Sequence, residues 1–256
     1  MDVQAWTDWQ PSDFCRSWSG GDEVAWAALV RECHECVCRT DFSRPGFCLV
    51  DCGVSCSSQR LRSCMVQLAA GLRDWEHARS GRELVCQGVT RFDQQESTRP
   101  HRDGGPAECL LVLGYEPSAV ASELVLQDYS RCAFDLQLEP AEFLRRHNPM
   151  FAAECELLEP YATPVACFSH QRYQLLVVNN SQAPFAHHSP RWQGVLHTAS
   201  VPRPDPGASR VINSMLLAVD VAKTEDALSE ADLQSFATDM PVRRRGYDRT
   251  NLADDA

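Results

Sequence analysis

The spacing of apolar residues changes partway along the chain. From Asp22 to about Cys38, Ala25, Ala28, Leu29 and Cys33 recur at helical spacing behind a Gly-Gly break and an acidic start. From Ser57 to about Arg79, Leu61, Cys64, Met65, Leu68, Leu72 and Trp75 share one helical face, with Ser58 as the expected cap and Gly81 just past the end. Between these helices, Phe47–Val54 reads as a short strand. From residue 84 the helical period gives way to short strand-like runs: Leu84–Phe92, Cys109–Tyr115, Ser122–Tyr129, Leu157–Phe168, Tyr173–Val178, Gln193–Ala199 and Arg210–Val219. One helix, Glu139–His147, interrupts them and is stopped by Asn148-Pro149. Counting the segment around His101, the pattern predicts eight strands.

So many strands with few intervening helices favour a mostly antiparallel, closed or sandwiched sheet over a parallel α/β fold. The expected class is mainly β with flanking α, the two early helices lying outside the sheet. We read one domain over 1–256: helical support in 1–83, a β core in 84–220 and an extension in 221–256. There is no internal repeat, and Pro241–Ala256 reads as a charged surface tail.

Composition narrows the function. A hydrophobic content of 44% suits an ordinary buried core. The net charge of −11 disfavours nonspecific nucleic-acid binding, which depends on neutralising phosphates. No run approaches the roughly 20 apolar residues of a membrane helix. The first residues have no basic, apolar leader pattern, so a cytoplasmic location and reduced thiols are expected for the 13 cysteines. Cys33-His34-Glu35-Cys36-Val37-Cys38, followed by Cys48, Cys52 and Cys56, contains one C-x2-C. Without a clear second pair it reads as buried free thiols, with a zinc site as the alternative.

The sharpest chemistry lies in His101-Arg102-Asp103. Residues i and i+2 of an extended segment point the same way, so His101 and Asp103 can present two ligands together, and Gly104-Gly105 lets the chain turn away. His197, in the strand-like Gly194–Thr198, can supply a third. Two imidazoles and one carboxylate suit ferrous iron and leave coordination positions open. Alone, H-x-D is common, and it also fits a surface turn in which Asp103 accepts from Gly104 or Gly105.

With Arg210 at the start of the last predicted strand, the stretch from about 84 to 220 resembles the double-stranded β-helix (jelly-roll) core of the iron(II)/2-oxoglutarate-dependent dioxygenases. The H-x-D…H pattern falls on His101, Asp103 and His197, and the co-substrate arginine on Arg210. The resemblance implies Fe(II), with 2-oxoglutarate and O2 as co-substrates. It further implies oxidation of an unactivated C–H bond by hydroxylation, desaturation or cyclisation, releasing succinate and CO2. Related halogenases carry a small residue where Asp103 stands, so halogenation is not expected. Many members carry a hydroxyl two positions after the arginine; here Ile212 stands there, and Ser214 or Asn213 is the expected substitute.

Other candidates are weaker. Arg99 and Arg191 could border the mouth of the site and bind a substrate carboxylate, while Arg102 should point away. His187-His188 is an alternative source of the third ligand, or a solvated loop. Tyr115 and Tyr129 read as core or rim residues, and Arg243-Arg244-Arg245 as a solvated cluster. The expected substrate is a small molecule, an amino acid or a derivative of one. The alternatives are a protein or nucleic-acid hydroxylase or demethylase, and a non-enzymatic jelly-roll module with an N-terminal zinc.

Overall fold

Both long helices begin where a short polar side chain satisfies a free N–H. Asp22 accepts from Ala25 N, and Ser57 accepts from Arg60 N. The second cap is therefore Ser57 rather than Ser58, whose hydroxyl is bound to Glu116 at 2.7 Å. Gly81 ends that helix with φ 72°, a left-handed conformation that disfavours side chains.

The computed structural model describes residues 9–149, 156–186, 190–219 and 227–244. The helices along them are α1 (Pro11–Phe14), α2 (Glu23–Val37), α3 (Ser58–Ser80), α4 (Tyr129–Asp135), α5 (Pro140–Arg146) and α6 (Glu230–Thr238). The strands are β1 (Cys15–Ser17), β2 (Phe47–Gly53), β3 (Leu84–Asp93), β4 (Cys109–Tyr115), β5 (Glu123–Gln127), β6 (Ala162–Pro164), β7 (Tyr173–Asn179), β8 (Leu196–Ser200), β9 (Val211–Val219) and β10 (Arg243–Arg244). They form a seven-stranded sheet, β1-β2-β7-β4-β9-β3-β10, and a three-stranded sheet, β6-β5-β8. Pairing is antiparallel except where β1 and β10 join the edges of the large sheet.

Strand β4 is buried along its whole length and shows what the large sheet separates. Gly114 faces α3 so closely that a Cβ there would lie 2.6 Å from Met65 Sδ. On the other side, Leu111, Leu113 and Tyr115 line a cavity. The alternation follows from the two-residue period of a strand. On the helix side, Leu61, Met65, Leu68 and Leu72 of α3 are fully buried, and α2 crosses α3 where a Cβ on Gly71 would meet Val30 Cγ2 at 2.7 Å. A smaller core of Tyr129, Cys132, Phe143, Leu158 and Leu196 lies under α4 and α5.

Several expectations change. The chain is sheet-rich with flanking helices, but the sheets do not close into a barrel. The His101 segment is a single bridge to His197 rather than a strand. Leu157–Phe168 is a 3₁₀ turn, Glu156–Tyr161, followed by the short β6, because Pro160 and Pro164 withhold backbone donors. The run ending at Tyr129 stops at Gln127: Asp128 accepts from Arg131 N and starts α4 instead. The C-terminal extension contributes α6, whose Phe236 is fully buried and whose carbonyl accepts from Arg62 Nε at 2.7 Å. Arg243 and Arg244 pair beside β3; Arg245 and the rest of the tail lie outside the described residues.

The uniformly reduced thiols also need correcting, since a disulfide joins Cys15 of β1 to Cys167, with Cα atoms 6.8 Å apart. The ends of that bridge come together through tertiary packing across 152 residues. Cys33, Cys36 and Cys48 are buried free thiols in the core. Cys36 Sγ donates to Phe47 O, and Cys33 and Cys48 Sγ lie 3.7 Å apart. No helix among the described residues is long and apolar enough to cross a membrane.

Candidate metal centre

After β3 the chain crosses to the small sheet and runs beside β8. Thr98 N donates to Ala199 O, and His101 and His197 exchange both backbone hydrogen bonds at 3.1 and 3.0 Å. This pairing brings the two imidazoles together, with ring centroids 4.2 Å apart. Two residues on, Asp103 Oδ1 lies 3.6 Å from His101 Nε2. One ligand atom from each of His101, Asp103 and His197 falls within 4.8 Å of the others, the one such three-residue group among the described residues.

The surroundings of each residue suit a metal. His101 Nδ1 lies 2.7 Å from the Arg99 carbonyl, an acceptor, so Nδ1 donates there and Nε2 is the ring nitrogen on the Asp103 side. His197 is 8% exposed, and its Nδ1 is buried with no hydrogen-bond partner. Burial, and secondarily the neighbouring His101, push its pKa down to about 3, so the imidazole stays neutral. Asp103 is held through its backbone: its N–H donates to Asn180 Oδ1 and its carbonyl accepts from Asn180 Nδ2, both at 3.0 Å. Gly105 then turns the chain with φ 151°. A neutral, orphaned imidazole beside a second imidazole and a carboxylate is a donor set that fits Fe(II).

The three residues line a cavity of about 420 Å³ between the large sheet and the segment 94–104. Arg210 lines it too, buried at 3% exposure just before β9. Its backbone N–H donates to Asp93 Oδ1, Nε donates to Ser122 Oγ at 3.0 Å, and Nη1 to Gln94 O at 3.1 Å. Those contacts fix the plane of the guanidinium, which sits 5.7 Å from the Tyr115 ring centre. Ile212, Ser214 and Leu216 follow on the same face of β9, with Thr90 opposite Ser214 and Tyr115 opposite Ile212. Burial raises the Tyr115 phenol to about 12, against the nearby Arg210, so it remains an O–H donor.

Not every candidate converges. The Arg99 side chain is exposed, and only its carbonyl reaches the site. Arg102 points away, as alternation implied, and donates to the carbonyls of Asn180, Gly105 and Pro106. Arg191 lines a different cavity and pairs with Glu108 at 2.6 Å. His187 and His188 lie outside the described residues. Asn180 and the role of Tyr115 were missed. The placing of Tyr115 on the face of Leu111 and Leu113 was legible in the i, i+2 pattern, whereas nothing local marks Asn180.

No family model matches this sequence, and no curated protein matches it. Solved structures similar to it include a tryptophan-to-phenylalanine variant of the iron and alpha-ketoglutarate-dependent endoperoxidase NvfI. That structure aligns with a TM-score of 0.35 at 11% identity, over 69% of this chain and 76% of the other. A second NvfI structure, in a different conformation, gives 0.32 at 13% identity, over 67% and 76%. Overlaps this partial define no family for the chain, whose function has to be read from its own residues.

Proposed function

We propose that the chain is a non-haem iron(II), 2-oxoglutarate-dependent oxygenase acting on a small molecule. The observation that carries this reading is the convergence of His101, Asp103 and His197 on the wall of a cavity that also holds the buried Arg210. His101, Asp103 and His197 would hold the metal on one face, leaving its cavity side open. When bound, iron(II) and 2-oxoglutarate would supply the oxidising chemistry: substrate C–H, O2 and 2-oxoglutarate give C–OH, succinate and CO2.

The protein's part is to bind and to exclude water. Arg210 would pair with the distal carboxylate of the co-substrate, because a guanidinium stays charged and offers a planar fork. With Ile212 where a hydroxyl is expected, the Tyr115 phenol and the Ser214 and Thr90 hydroxyls are donors available on the sheet wall. Val89, Phe92, Leu111, Leu113 and Leu216 make the sheet side of the lining apolar, while Gln94, Glu96 and Thr98 add polar groups on the side of the His101 segment. At about 420 Å³ the cavity sits near the small end of ligand sites, which run roughly 300–1,000 Å³, and suits an amino-acid-sized substrate beside a five-carbon acid. In this reading the two sheets are an opened double-stranded β-helix, and residues 1–83, 84–220 and 221–256 form one catalytic unit.

Anaerobic titration of the full chain with iron(II) and 2-oxoglutarate tests the proposal. One iron per chain is expected, lost in Asp103→Ala, with co-substrate binding weakened in Arg210→Ala while iron stays bound. Iron affinity unchanged by Asp103→Ala, or co-substrate affinity unchanged by Arg210→Ala, refutes it. A zinc that survives Asp103→Ala and is lost with Cys33 and Cys36 would favour a zinc-binding module instead.

A further inference from the structure

A second cavity, of about 470 Å³, lies where the end of α3 meets the chain leading into β8. Arg79, Arg82 and Arg191 line it, and two buried carboxylates, Glu76 and Glu108, stand behind them. The carboxylate oxygens are already covered by protein donors. Glu76 Oε1 accepts from Ser80 at 2.6 Å and from Arg82 at 2.7 Å, and Oε2 from His34 Nε2 at 2.6 Å. Glu108 Oε1 accepts from Arg82 at 3.0 Å and from Trp192 N at 2.9 Å, and Oε2 from Arg191 at 2.6 Å. The two carboxylates are therefore covered, and the polar groups left to the pocket are arginine N–H groups beside His34, Cys38, Thr40 and Ser80.

Charge points the same way. Three guanidinium groups against two carboxylates leave a local excess of one positive charge, in a chain whose net charge is −11. The Arg82 guanidinium is stacked over the buried Trp192 ring at 4.7 Å and tied to both carboxylates, so its orientation is preset. His34, on the wall of the same cavity, is 3% exposed, and its Nδ1 is buried without a hydrogen-bond partner. With Nε2 donating to Glu76, Nδ1 presents a lone pair, which the O–H of a monohydrogen phosphate or a bound water can meet.

We propose that this cavity binds a phosphate group, as inorganic phosphate or as the phosphoryl end of a small metabolite, through Arg79, Arg82 and Arg191. The arginines come from the end of α3, the turn after it and the approach to β8. Together they can meet oxygens pointing in several directions, as those of a tetrahedral dianion do.

Calorimetric titration of the metal-free full chain with inorganic phosphate tests this without reference to iron. Binding with a dissociation constant on the order of 1 mM or tighter is expected. Arg79 is exposed, so Arg79→Ala should keep the fold and weaken phosphate by about fivefold or more, and Arg79→Glu should abolish binding. Arg203→Ala, which removes an exposed charge elsewhere, should change nothing. Glycerol 3-phosphate binding more tightly than phosphate assigns the site to a phosphorylated metabolite, and equal binding assigns it to the free ion. The proposal is overturned by no binding in the millimolar range, by equal loss in Arg203→Ala, by succinate binding here as tightly as phosphate, or by loss in Arg210→Ala with Arg79→Glu unaffected.

Discussion

Asn180 follows β7, far in sequence from Asp103, yet its side chain is the clamp on that residue. It is fully buried, its Oδ1 accepts from Asp103 N, its Nδ2 donates to Asp103 O, and the same Nδ2 approaches Cys109 Sγ at 3.4 Å. Asn180→Ala removes both 3.0 Å bonds and leaves a small void. Each bond contributes about 1 kcal/mol net, and Asp103 is half-buried, so water replaces only part of what is lost. The expected destabilisation is about 2–3 kcal/mol, read from urea unfolding of the metal-free chain. The effect on metal should exceed what stability alone predicts. The Asp103 carboxylate is itself 40% exposed, and its position depends on that clamped backbone. Loss of a partner behind a ligand typically weakens metal binding by about 10–100-fold, measurable by chelator competition with iron(II) under anaerobic conditions. Reduced stability with unchanged metal affinity would make Asn180 a structural residue only. No change in either quantity would show that the clamp does not form.

Three further perturbations probe the frame. Arg39 is fully buried, forms a bidentate pair with Asp128 at 2.6 and 2.5 Å and donates to Gln193 O; Arg39→Ala strands a buried carboxylate and should destabilise by about 3–5 kcal/mol, and a loss below about 1 kcal/mol in urea unfolding refutes this. Burial raises the Glu76 carboxyl, but hydrogen bonds from His34, Ser80 and Arg82 outweigh it and hold the pKa at about 2, against an ordinary 4.5. A lowered folded pKa means stability that is present above pH 4.5 and lost as pH falls towards 2, about 3 kcal/mol in all. Glu76→Gln should flatten that part of the stability–pH curve, and an unchanged acid limb counts against it. At Gly194 a Cβ would lie 2.1 Å from Ser181 O, a backbone atom that cannot swing away. Gly194→Ala should therefore cost about 3 kcal/mol or more and disturb the approach to His197; wild-type thermal stability would contradict the close contact.

The helices, most strands and the chemistry-bearing residues were legible because they depend on local rules. A period near 3.6 exposed α2 and α3, a period of two put Leu111, Leu113 and Tyr115 on one face, and His101, Asp103 and His197 stood out as residue types able to bind a metal. Where prolines and caps compete with propensity, the reading slipped. Pro160 and Pro164 replaced a long strand with a turn and a short one, and Asp128 ended a strand by starting α4. The N-terminal cysteines, read from the lack of a second C-x2-C pair as buried free thiols, are that in the structure: Cys33, Cys36 and Cys48 pack in the core.

What the sequence determined by itself was an inventory: which side chains could hold iron, which arginine could hold an acid, and which faces had to be buried. Which of these meet was decided by tertiary structure. Arg191 and His197 are close neighbours in the chain, yet one lines the polar pocket with Arg82 and the other lines the candidate metal centre. Asp103 and Asn180 are far apart in the chain and share two hydrogen bonds. Residue type and short-range spacing are encoded along the chain, whereas convergence depends on which strands pair and in what register. That pairing is settled by burial of the whole core rather than by any local segment.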